Sequence, residues 1–144
     1  MNVKTFILRG VVATVIHFIL GFLLYAVIFA KYLQAHMGPA SASASRPVGS
    51  ELVGFIFLSC LSYGFLLSYV FTSGASQSLK QGLLTGAITG FLYASAVNAN
   101  LYATTNLLTI EVIVADTLMY AFMSTVMGWV ISFIGKTRKT VAIF

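Results

Sequence analysis

The sequence predicts an all-α integral membrane protein, a compact antiparallel bundle of four transmembrane helices, and three observations lead there. Four apolar runs, residues 6–30, 52–72, 82–104 and 112–134, each reach the ~20 residues that cross a ~30 Å hydrocarbon core. Hydrophobic residues make up 59% of the 144-residue chain and charged residues only 8%, a balance that few water-soluble domains could carry. The runs also lack the polar alternation of barrel strands. A backbone in lipid must satisfy its own hydrogen bonds, so such runs span as helices.

The first run follows Lys4 and Arg9. It is too long for the apolar part of a secretory signal, so it is expected to remain as an anchor. At 100° per residue Gly10, Thr14, His17, Gly21 and Tyr25 share one face, which should point inward. The 31–51 connection contains Gly38-Pro39-Ala40-Ser41-Ala42-Ser43-Ala44-Ser45-Arg46-Pro47. That composition cannot bury a core, and a flexible or loosely draped external loop is expected. His36 lies here with no second ligand at metal spacing, which makes it a solvated histidine rather than part of a metal site. Glu51 and Glu111 each precede an apolar run and are expected to stabilise helix amino termini.

The second run carries Cys60, Gly64 and Ser68 at four-residue spacing, and the only cysteine of the chain is this one, so an internal disulfide is excluded. The third opens with Gly82, Gly86 and Gly90 and continues the spacing to Ala94; the fourth repeats it as Ser124, Gly128 and Ser132. Small residues at this interval let two helix backbones approach closely where lipid removes the usual hydrophobic drive. Gly64, Gly82, Gly86, Gly90 and Gly128 are therefore predicted packing positions.

Charge sets the orientation. Net charge is +5, but the positions of the cations matter more than their sum. Lys4, Arg9, Lys80, Lys136, Arg138 and Lys139 fall on one side of the predicted bundle, and only Lys31 and Arg46 on the other. By the positive-inside rule both termini are cytoplasmic and residues 31–51 external. The Lys136-Thr137-Arg138-Lys139 cluster is read as a topology signal in contact with anionic headgroups, not as a nucleic-acid site.

Polar residues inside the runs supply the candidate site. His17 sits near the middle of the first span. Thr85, Thr89, Tyr93, Ala96 and Asn100 form a stripe on the third, and Asp116, Met119, Tyr120, Met123 and Met127 another on the fourth. Asp116 stands about 7.5 Å beyond Glu111 along its helix, just below the external headgroups. A carboxylate there requires a partner, which Tyr25, Asn98, Asn100 or Tyr102 can supply. In a rigid antiparallel arrangement His17 lies about 10 Å deeper than Asp116, so the spacing does not decide whether the two meet. The candidate intramembrane site is His17, Tyr25, Tyr93, Asn100, Asp116 and Tyr120. No Gly-x-Ser-x-Gly turn, catalytic carboxylate pair, phosphate loop or metal quartet is present, and no enzyme activity is expected.

The stretch from His17 to Lys31, ending toward His36-Met37-Gly38, resembles the first span of a four-helix membrane family known as domain of unknown function 1761. Gly82-Leu83-Leu84-Thr85-Gly86, Asp116-Thr117-Leu118-Met119-Tyr120 and Met127-Gly128 are similar to its third and fourth spans. The resemblance implies a four-span fold over nearly the whole chain, a bacterial inner membrane location and no mechanism. Small four-span multidrug exporters match in size, but they carry their coupling carboxylate in the first span, where this chain has only His17.

Three functions follow as expectations. The first is an accessory or scaffold subunit that acts through helix packing in the lipid bilayer, alone, as a homo-oligomer or in a larger membrane complex. The second is an oligomeric transporter or channel using His17 and Asp116. The third is a binder of a lipid, quinone or other apolar ligand.

Overall fold

The computed structural model describes residues 2–47, 49–73 and 78–141, with side chains described as far as residue 134. All regular structure among the described residues is helical. Helix α1 (Val3–Gly21) continues as a π-helical stretch, Phe22–Ile28; α2 (Ala30–His36) and α3 (Ser41–Ala44) are short; α4 (Val53–Ser73), α5 (Leu79–Thr104) and α6 (Ile110–Val141) complete the chain. Four segments, Val3–Ile28, Val53–Ser73, Leu79–Thr104 and Ile110–Ile134, are long and apolar enough to cross a membrane. The helix starts have local causes. The Asn2 side chain accepts from the Thr5 N–H at 3.2 Å. Ser78 and Gln81 form a reciprocal capping box, each side chain accepting from the other's backbone N–H, at 3.2 and 2.7 Å.

The bundle consists of two tight antiparallel pairs, α1 with α4 and α5 with α6, joined mainly across α1 and α6. Glycine sets both pairings. A Cβ on Gly64 would lie 2.8 Å from the Thr14 backbone nitrogen, and one on Gly10 would lie 2.9 Å from the Phe65 ring. Along α5 a Cβ on Gly82 would meet the Gly128 carbonyl at 2.8 Å, one on Gly86 would run into the Ser124 backbone, and one on Gly90 would meet the Tyr120 carbonyl at 2.6 Å. Residue numbers rise on one helix as they fall on the other, which is antiparallel register. All five predicted packing glycines are buried. Only helices without side chains at these points can come so close.

The core between the pairs is Ala13, Tyr63, Leu67, Phe71, Met127 and Ile131, with Leu24, Met119 and Met123 above it. Large side chains such as Phe22, Phe55, Leu84, Leu92, Leu118 and Phe122 are exposed on the outside, where a bilayer would surround them. Arg9 is half-buried and donates to the Phe71 carbonyl at 3.3 Å and to the Ile131 carbonyl at 3.2 Å. It therefore clasps α1 to α4 and α6. The side chains of Lys136, Arg138 and Lys139 lie outside the described residues.

The 31–51 connection differs from a loosely draped loop. It carries α2 and α3, and its Gly38 and Ala40 N–H groups donate to the Leu107 and Asn106 carbonyls at 3.0 and 3.2 Å. Thr109 also donates to the His36 carbonyl at 2.7 Å. A Cβ on Gly38 would run into the Asn106–Leu107 backbone, so glycine is what lets the two connections touch. Backbone pairing of this kind is independent of side-chain polarity, and composition gives no sign of it. Glu51 stands two residues before α4, where its carboxylate accepts from the Gly49 N–H at 2.8 Å. Glu111 does stand in the first turn of α6.

Candidate functional site

The π-helical stretch is what re-aims the first span. The Phe29 N–H reaches back five residues to the Leu24 carbonyl at 2.8 Å, and such wide turns are frequent at functional sites. Tyr25 lies within it, and its hydroxyl donates to Asp116 Oδ1. The other carboxylate oxygen, Oδ2, accepts from Asn98 Nδ2 at 2.7 Å, and the same amide reaches Thr117 Oγ1 at 3.3 Å. Asp116 thus ties the first, third and fourth spans together, and both its oxygens have partners. It meets the cost of burying a carboxylate with two strong donors.

Below this tie, toward the centre of the bundle, one ring from each span converges. His17 of α1 packs edge-on against Tyr63 of α4, with centroids 5.1 Å apart, and against Tyr120 of α6 at 5.4 Å. Tyr93 of α5 lies 4.8 Å from Tyr63 and 5.7 Å from Tyr120. Edge-to-face contacts at these distances are the favourable arrangement for rings. The Tyr63 hydroxyl is anchored to Ser124 Oγ at 2.7 Å.

His17 is the exception in this well-paired interior. It is only 4% exposed, and its Nδ1 is enclosed with no hydrogen-bond partner among the described residues. The ring also forms part of the wall of a cavity of about 870 Å³ between the upper halves of α1 and α4. Gly21, Tyr25, Cys60 and Tyr120 line the cavity nearby, Phe18, Phe22, Phe55 and Ile56 form its apolar sides, and Ser45, Arg46 and Glu51 stand at its connection end. A separate groove of about 670 Å³, between the π-helical stretch and α6, is lined by Leu24, Phe29, Val114, Leu118 and Phe122, with Glu111 the one acid on its wall.

Five of the six predicted site residues thus meet: Tyr25 with Asp116, and His17, Tyr93 and Tyr120 in the ring cluster. Asn100 does not; it is exposed on α5, and Asn98 takes the place expected of it. The inward face of α5 is Gly82, Gly86, Gly90, Ala94 and Asn98, one glycine stripe away from the Thr85–Asn100 stripe. Asn98 stands among the four partners the sequence offers Asp116, and the glycine spacing extended one more step beyond Ala94 reaches it. Tyr63 was missed, although it neighbours Gly64 in the second ladder. His36 stacks on Tyr32 with centroids 4.3 Å apart, and its Nδ1 lies 2.8 Å from the Tyr32 carbonyl oxygen. Among the described residues no three metal-ligating side chains come together. No protein-family model, curated protein or solved structure matches this chain.

Proposed function

We propose that this chain is a non-enzymatic integral membrane protein that binds a small amphipathic molecule, taken from the bilayer, in the cavity between α1 and α4. The observation that carries the reading is His17: a buried imidazole with no hydrogen bond to a described residue, its Nδ1 enclosed and its other edge on the wall of a cavity of about 870 Å³. Interiors rarely leave such a group unmatched, and the exceptions call for a physical reason. The volume also suits a drug-sized molecule held by apolar walls and a few polar groups.

The other readings have weaker support. The glycine ladders that suggested a scaffold pack within the chain, so they offer no free surface to a second subunit. Of His17 and Asp116, the pair on which transport would turn, Asp116 has both oxygens occupied by Tyr25 and Asn98. The groove beside α6 has no enclosed polar group to select a ligand. In this proposal both termini are cytoplasmic, the 31–51 connection is external, and a bacterial inner membrane is the host.

Native mass spectrometry of the full chain released from mild detergent tests the reading. The wild type is expected to carry a bound small molecule. Gly21→Phe is expected to lose it, because Gly21 lines the cavity and a side chain there has open space ahead of it. Equal retention by both proteins would refute the proposed site.

A further inference from the structure

Resting on that reading, the geometry points to the chemical class of the ligand: a neutral ring bearing a carbonyl acceptor, of the isoprenoid quinone type, with its head deep against His17 and Tyr120 and its apolar tail leaving between α1 and α4.

The imidazole makes no hydrogen bond to a described residue. Nδ1 is the enclosed, unpartnered nitrogen, so Nε2 is the nitrogen left to the cavity. An enclosed N–H without an acceptor is rarer and costlier than an enclosed lone pair without a donor. The proton therefore belongs on Nε2, and the cavity is offered a donor. The Tyr120 hydroxyl, with no hydrogen bond to a described residue, provides a second donor on the same wall. The His17 N–H and the Tyr120 hydroxyl, which can donate, meet at the deep end and favour a ligand group that accepts, which a carbonyl oxygen does; the other polar groups of the wall are the Ser59 hydroxyl and, at the connection end, Ser45, Arg46 and Glu51.

Charge narrows the class further. The deep end of the cavity presents no cation, and Arg46 stands at the connection end. A phosphate or carboxylate head placed against His17 would leave its charge uncompensated, at a cost that burial does not allow. A phospholipid would sit the other way up, with its phosphate at Arg46 and only acyl chain beside His17, and the Nε2–H would stay unmatched. A flat conjugated head instead continues the aromatic packing of His17, Tyr63 and Tyr120.

The test is retention of tritiated decylubiquinone by the purified full-length protein in detergent micelles, against empty micelles, with dioleoylphosphatidylglycerol retention followed by native mass spectrometry. Wild type should bind the quinone saturably. His17→Phe, which keeps a ring between Tyr63 and Tyr120 but no polar atom, should weaken it about tenfold, the loss of one buried hydrogen bond. His17→Gln, which keeps an N–H donor, should bind within about threefold of wild type, and Tyr120→Phe should weaken binding without disturbing the ring cluster. Far-ultraviolet circular dichroism verifies that each variant is folded. Unchanged quinone affinity in folded His17→Phe overturns the inference. Retention of the phospholipid alone, equally by wild type and His17→Phe, also overturns it and leaves the cavity-binding proposal standing. Retention of neither molecule, with no other adduct on the wild type, removes both.

Discussion

Replacing Gly86 by alanine tests whether the α5–α6 pairing depends on absent side chains. An alanine Cβ at this position would stand 2.9 Å from the Ser124 carbonyl carbon and 3.2 Å from the Thr125 Cα, and closer still to the Ser124 oxygen. The first distance is about 0.5 Å short of the 3.4 Å at which ordinary contact begins. Every atom met is backbone, so no rotamer change relieves the clash and the two helices must part. Separation at Gly86 also opens the contacts at Gly82, Gly90 and Gly128. Overpacking of this kind costs ~1–3 kcal/mol. The change from glycine to alanine in a helix returns ~0.5–1 kcal/mol through propensity, leaving a net loss of up to about 2.5 kcal/mol and a difference of ~1–3 kcal/mol from a glycine-to-alanine change that meets no clash. Gly21→Ala is the internal control, since its Cβ meets nothing within 4 Å and it gains the same propensity. It should be stabilised by ~0.5–1 kcal/mol. Reversible unfolding of both variants in mixed micelles by sodium dodecyl sulfate, followed by circular dichroism, measures the difference. A Gly86→Ala protein as stable as Gly21→Ala would refute the claim that glycine sets the interhelical distance.

Three further predictions concern the polar contacts and the topology. Asp116→Asn presents an amide N–H to one of two donors, Tyr25 or Asn98, and should cost about 1–3 kcal/mol in the same unfolding assay, more than Tyr25→Phe at about 1 kcal/mol; equal stability of wild type and Asp116→Asn would show that the tie contributes nothing. Arg9→Met keeps most of the apolar stem but removes both hydrogen bonds to the Phe71 and Ile131 carbonyls. Faster amide hydrogen exchange at the carboxyl end of α4, with the Asn98–Asp116 end unchanged, is the expected result, and uniform exchange would contradict it. In a Cys60→Ala background, a cysteine at Ser43 should react with an impermeant maleimide added outside intact cells while one at Thr137 should not, and the reverse pattern would invert the proposed orientation.

The sequence by itself determined the helical class, the number of apolar spans and the glycine positions at which backbones meet. Span length and four-residue spacing are properties of one helix, so they can be read one segment at a time. It also picked out His17 and Asp116, because imidazole and carboxylate groups within the apolar runs are few, and Tyr25, Tyr93 and Tyr120, which share helix faces with polar residues. Tertiary structure decided which of them have partners. The π-helical turn before Phe29 brings Tyr25 to Asp116, and the rotation of α5 fixed by its glycines turns Asn98 inward and Asn100 outward. The docking of Gly38 on Asn106 and Leu107 rests on backbone groups that every residue shares, so no side-chain pattern announces it. The cavity beside His17 exists because α1 and α4 touch closely at Gly10 and Gly64 but stand apart farther along. A void between two helices depends on the distance between their axes, and no single segment of chain encodes that distance.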